Sequence, residues 1–199
     1  MPVEGATEQF RIGFLTAIEL PQRGYVGGLL VTNHYGRPLE FQCTTPIQPN
    51  KTQRILYGPT LVPFILGELI GKTLVEKVGV KPDVILTEDP NLLGLREHVV
   101  IPVACVSEIS LPPADASYSS AATDEHPVEN DAAMRFDNVQ ASNQIGIGRQ
   151  LLRFHHAHRA DRDKVAKKSH LIPQGADLLE PFERVREALK ETTGPGATR

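Results

Sequence analysis

FRIGFLTAIELPQRGYVGGLLVTNHYGRPLEFQCT, residues 10–44, contains three strand-like runs separated by two turns. Phe10 to Leu20 and Tyr25 to Thr32 are rich in β-branched and aromatic residues. Pro38 to Thr44 alternates, sending Leu39, Phe41 and Cys43 to one face and Glu40, Gln42 and Thr44 to the other. PQRG breaks the first two runs, and NHYGR the second and third, with Gly36 free to take a positive φ. The spacing predicts an antiparallel meander.

Outward from the meander the pattern changes period. Asn50 or Thr52 can cap a helix. The run from Thr52 to Lys77 is apolar on most faces, which predicts a helix buried on two sides. Pro59 and Pro63 each remove a backbone donor, so a break near Gly58 is expected. Gly67 and Gly71 lie one turn apart and would let this helix approach a sheet closely. Prolines and glycines interrupt the most apolar part, so no membrane contact is expected from it. Asp83 to Thr87 reads as a central strand buried on both faces. Asn91 to His98 is a short helix, and Val99 to Val106 a last strand that Pro102 pushes towards a sheet edge. The predicted class is α/β, a mixed five-stranded sheet in the order β-β-β-α-β-α-β over residues 8–106.

The character shifts at Ser107. Glu108, Asp115, Asp124, Glu125, Glu129 and Asp131 are balanced by no lysine or arginine, and the surrounding residues are Ala, Ser and Pro. Such composition predicts a flexible, disordered acidic linker over 107–146. Residues 147–199 form the third part. Seven basic residues face two acids between Arg149 and Lys168, and Leu178, Leu179, Phe182, Val185 and Leu189 recur at helical spacing. This predicts a basic arm followed by an amphipathic helix that docks either on this domain or on a protein partner.

With 199 residues and 40% apolar composition the chain can build one ordinary core, and a net charge of −3 excludes a polycation. Met1 to Gln9 lacks the basic start and apolar run of a signal peptide. The only cysteines, Cys43 and Cys105, have no metal-binding spacing and sit in apolar runs, which fits reduced, buried thiols in a cytoplasmic protein. Cys43 with His34 or His98 would make a nucleophile only if exposed, and its place on the Leu39–Phe41 face predicts core packing instead. GYVGG is too short a pattern to claim a phosphate cradle.

The element order resembles the ribonuclease H-like fold. GYVGGLLVTNHYGRPLEF is similar to its second and third strands, and PDVILTEDPNLLGLRE to its fourth strand and following helix. The resemblance implies a catalytic, metal-binding aspartate at the end of that strand, which is Asp89 here. It also implies an acid on the first strand, where GFLTAIEL offers only Glu19, and one early in the long helix, where NKTQRIL offers none. GRPLEFQCTTPIQP and RILYGPTLVPF further resemble a family of bacterial proteins, a resemblance that implies no activity.

Two functional expectations follow. The first is a non-catalytic interaction scaffold whose C-terminal helix holds a protein partner. Its tethered arm, with Arg153, His155, His156, His158 and Arg159, would contact an acidic partner or nucleic acid, alongside Arg37 on the open face of the meander. His155, His156 and His158 also have the ligand chemistry of a transition-metal site, to which Asp161 or Asp163 would add an oxygen. The second is a Mg²⁺- or Mn²⁺-dependent nuclease acting on phosphodiesters, in which Asp89 and Glu19 would hold the metal, with Glu88 or Asp83 assisting.

Overall fold

The computed structural model describes residues 9–109 and 143–193. Strands β1 (Arg11–Leu20), β2 (Gly24–Asn33) and β3 (Pro38–Cys43) form the expected antiparallel meander. Gly36 takes φ +79° in the second turn, where Asn33 Oδ1 accepts from the Tyr35 and Arg37 N–H groups at 3.0 Å. A helical segment, α1 (Lys51–Lys77), leads into β4 (Val84–Thr87). A 3-10 segment (Pro90–Glu97) joins β4 to β5 (Val103–Glu108). This is the expected β-β-β-α-β-α-β order, with the 3-10 segment in the place of the second helix. β1, β4 and β5 run parallel, with β4 in the centre as its unbroken apolar run requires.

Among the described residues the sheet has seven strands, two more than expected, in the order β3-β2-β1-β4-β5-β7-β6. The extra two are β6 (Gln144–Ile147) and β7 (Gln150–Phe154), a hairpin laid antiparallel along β5. Pairing with β7 makes β5 an internal strand. Pro102 sits just ahead of it, where its carbonyl accepts from the Ile85 N–H at 2.8 Å and no donor is needed. The expected linker falls mostly on residues 110–142, outside the described part of the chain. At its two ends, Ser107 and Glu108 belong to β5, and Gln144 to Gly146 belong to β6.

Asn50 caps α1 through a capping box with Gln53, and α1 is interrupted by a 3-10 turn over Gly58–Thr60, beside Pro59. Its first turns differ from expectation: Lys51–Tyr57 buries no residue, and Ile55 and Leu56 are exposed. From Leu61 onwards one face packs on the sheet, burying Ile65, Leu66, Ile70 and Leu74 with Leu15, Leu29 and Ile85. By length and composition α1 would suffice to cross a membrane, but it spends this apolar face on the core. The close approach is made by a glycine on the sheet: a Cβ on Gly27 of β2 would lie 2.1 Å from Ile70 Cγ2. Gly71 faces the 3-10 segment instead, where a Cβ would meet Leu95 Cδ2 at 3.0 Å.

The opposite face of the sheet is covered by the C-terminal region. Helix α2 (Arg159–Lys168) contributes Val165, and helix α3 (Glu180–Thr193) contributes Phe182, Val185 and Leu189. These pack with Phe10, Ile12, Phe14, Leu86 and Val106 from the sheet. The Phe182 ring meets Phe14 edge-on, with centroids 5.4 Å apart. The helical stripe therefore docks on its own domain.

Candidate functional site

Parallel strands gather their carboxyl ends at one end of a sheet, where ligands of open α/β sheets are usually bound. Here that end holds Thr87 at the end of β4, Glu88 and Asp89 after it, Cys105 on β5, Arg153 opposite Cys105 on β7, and Arg186 on α3. Thr87 is fully buried, and its Oγ1 accepts from the Asp89 N–H at 3.1 Å. Glu88 and Asp89 follow the strand and take different partners. Glu88 forms an ion pair with Arg186, which also pairs with Glu183 at 2.6 Å. Asp89 caps the 3-10 segment: its Oδ1 accepts from the Asn91 N–H and from Nδ2, both at 2.9 Å. Cys105 Sγ donates to the Glu88 carbonyl at 3.6 Å. Burial pushes the Cys105 thiol up; the Arg153 charge opposes this, and the nearby Asp89 and Glu88 charges add to it. The thiol is thus held protonated and is a poor nucleophile. Cys43 is half-buried and packs against the core, as expected.

Glu19 stands apart. The last paired residues of β1 and β4 are Phe14 and Leu86. Counting on from them puts Ala17 level with Asp89 and Glu19 two residues further, roughly 7 Å along the strand. Glu19 is exposed and faces Tyr25, whose hydroxyl pKa is raised by burial and then by the Glu19 charge. Asp83 is at the other end of β4, bound by Lys168 at 3.0 Å and by the Arg11 N–H at 2.9 Å. α1 carries Glu68 and Glu76; Glu68 is exposed and 3.7 Å from His98 Nε2. Among the described residues no three His, Cys, Asp or Glu side chains converge on a point that would hold a metal. A two-metal centre needs several converging carboxylates. One acid engaged by a guanidinium and one spent on a cap do not fit it.

The arm residues separate in space. Phe154 pairs with Ala104 at the start of β5, so His155, His156 and His158 lie at the end of the sheet opposite Asp89. Arg37 is at that end too, since the β2–β3 turn follows Asn33, the partner of Arg11. Arg159 is exposed there, on the first turn of α2. His155 Nε2 is 3.6 Å from Glu97 Oε1, and its ring stacks near those of His156 and His158 at 4.6 and 5.5 Å. Burial lowers the His155 pKa, with His156 adding to the effect. Asp161 supplies no metal oxygen: it is buried in an ion pair with Arg96, with Lys164 at 3.4 Å. Only Arg153, of the arm residues, reaches the strand-end site. Arg186 was not singled out by sequence; its helical stripe marks the face beside it but nothing marks Glu88 as its partner.

No protein-family model matches the chain, and no curated protein matches it. Among solved structures it is similar to endonuclease V from Ciona intestinalis in complex with a 24-mer DNA containing an inosine followed by a ribo-adenosine. The identity is 11% and the TM-score 0.45, over 93% of this chain and 87% of that one. It is also similar to human endonuclease V, at 14% identity and TM-score 0.44 over 94% and 87% of the two chains. The catalytic domain of the human protein gives 15% identity and TM-score 0.42 over 94% and 85%. The expectation of a non-catalytic scaffold with a tethered arm is corrected on two counts. The arm is strand β7 and helix α2, and the helix meant for a partner is docked in cis with Phe182 fully buried.

Proposed function

We propose that this chain is a nuclease-like domain that engages a nucleic-acid backbone at the carboxyl ends of β1, β4 and β5. The observation that carries this reading is the grouping of Asp89, Glu88, Arg153 and Arg186 at that end of a ribonuclease H-like sheet. A guanidinium presents its donors in a fixed fork that matches phosphate oxygens, so Arg153 and Arg186 are the side chains to hold a phosphodiester. Asp89 is the acid on which cleavage would depend, since it follows the carboxyl end of the central strand. Mg²⁺ or Mn²⁺ is the cation the resemblance implies. Because the described acids do not fit a two-metal centre, no metal-borne step is derived.

The test uses labelled single- and double-stranded DNA and RNA, with Mg²⁺ or Mn²⁺ present and absent. Binding is expected at low salt and should weaken as salt rises, because phosphate contacts release counterions. Arg153→Ala and Arg186→Ala should each lower affinity and flatten that salt dependence. Cleavage should fall about 100-fold or more in Asp89→Asn, the scale expected for losing an acid that acts in the reaction. Cleavage that survives Asp89→Asn removes that residue from the chemistry. Absence of binding to every substrate at low salt ends the reading.

A further inference from the structure

A hard cation at the carboxyl end of β4 would have to draw its oxygens from Glu88 and Asp89. Asp83 is bound at the far end of that strand, and Glu19 lies further along β1. An ion such as Mg²⁺ needs only one or two carboxylates when a substrate phosphate supplies further oxygens. Both acids are already in use. Asp89 Oδ1 accepts two hydrogen bonds from Asn91, each at 2.9 Å. Glu88 Oε2 accepts from Arg186 Nη1.

The guanidinium is fixed where it meets Glu88. Its Nη2 and Nε donate to Glu183, one turn earlier on α3, at 2.6 and 3.3 Å. Phe182 and Val185 on the same helix are buried against the sheet, which holds α3 in place. Arg186 is thus a bridge from a docked helix to the end of the central strand. A guanidinium keeps its charge in a protein and carries five N–H donors. Three are engaged by Glu88 and Glu183, which leaves one on each Nη nitrogen. Side-chain exposures of 25% for Arg186 and 30% for Glu88 keep the pair within reach of a ligand.

One position cannot serve two cations. A divalent ion on Glu88 would stand beside a permanent positive charge, and repulsion between charges this close is strong in a half-buried site. The ion enters only if the guanidinium is removed.

We propose that Arg186 takes the place of a divalent cation at this end of the sheet, so that the chain's own guanidinium faces the phosphodiester. For its phosphate ligand this rests on the function proposed above; for the exclusion of metal it rests on the Glu88–Arg186 pair alone.

A Mn²⁺ titration of the full chain, read by the electron paramagnetic resonance of the free ion, tests the exclusion without nucleic acid. The unsubstituted chain should bind no Mn²⁺ more tightly than about 1 mM. Arg186→Met keeps an unbranched stem and removes the charge. It should create a Mn²⁺ site at least about tenfold tighter than that limit, and adding Glu88→Gln should abolish the new site. Labelled DNA or RNA tests the substitution itself. The unsubstituted chain should bind equally in EDTA and in about 1 mM Mn²⁺, whereas Arg186→Met should lose about tenfold in EDTA and recover most of it in Mn²⁺. A Mn²⁺ site in the unsubstituted chain that Glu88→Gln or Asp89→Asn removes overturns the proposal. So does an Arg186→Met protein that unfolds thermally as the parent does and gains no Mn²⁺ site. If Arg186→Met does not fold, the titration and the EDTA comparison on the unsubstituted chain decide. Absence of nucleic-acid binding under every condition ends the phosphodiester reading, and the Mn²⁺ titrations still decide whether Arg186 excludes the metal.

Discussion

The two faces of the sheet are closed by different kinds of chain. One is covered by α1 and the 3-10 segment, which are the connections into and out of β4. The other is covered by α2 and α3, which arrive only after the chain has added β7 and β6 beyond β5. The first cover is a consequence of building parallel strands, since a parallel pair needs a crossover. The second is not required by any strand connection, yet it buries Phe182, Val185 and Leu189 completely and brings Arg186 to Glu88. The late cover therefore does two things at once: it completes a core and it furnishes one side of the strand-end site.

The comparison breaks most visibly at the ring that fastens the late cover. Phe182→Ala should cost about 3–5 kcal/mol in urea unfolding, since it empties a fully enclosed site against Phe14. Ile55→Ala, on the exposed first turns of the early cover, should stay within about 0.5 kcal/mol. If the two costs come out alike, α3 is not the wall of a core. Next in size is Asp161→Ala. It leaves the Arg96 guanidinium buried without its counter-charge and should cost about 3 kcal/mol. Asp161→Ala and Arg96→Met together should recover much of that loss, because neither charge is then stranded.

The strands and the helix that come before the late cover were legible in sequence because each element announced its own period. The alternation of Pro38 to Thr44, the unbroken VILT run and the Asn50 cap are local signals, and each element appeared where its signal lay. The late cover was legible only in part. The α3 stripe marked a buried face but could not name what it faced. QLLRF does alternate, burying Gln150, Leu152 and Phe154. Five residues inside a run of positive charge read more readily as a solvated arm. That run misled because its partners are distant: its Lys168 pairs with Asp83, 85 positions away, and its Asp161 with Arg96, 65 positions away. The site divides the same way. Asp89 follows from its strand, whereas the Glu88–Arg186 pair spans 98 positions and follows only from the fold.

A smaller effect sharpens the comparison on the early side. Gly27→Ala forces a methyl group to 2.1 Å from Ile70 Cγ2, so α1 must shift or Ile70 must leave its rotamer. Overpacking of this kind should cost about 1–3 kcal/mol, read as a lower urea midpoint. Gly94→Ala in the 3-10 segment meets nothing within 4 Å and should be close to neutral.

The smallest effect belongs to the turn that carries the late cover out of β7. His155 is largely buried, and burial holds its pKa below that of a free histidine. The unfolded chain therefore takes up this proton first as pH falls. Wherever the unfolded state binds more protons, stability rises with pH. His155 should accordingly lower stability as the solution is acidified through the ordinary histidine range, an effect absent above it. Glu97 works against this, since it sits 3.6 Å away and favours the charged ring. His155→Gln should flatten the acid-side decline in a series of urea midpoints taken from neutral pH downwards, and Glu97→Gln should steepen it. A His155→Gln profile that falls as the parent does would mean that the ring protonates without strain, and that the turn opens before the core beneath it does.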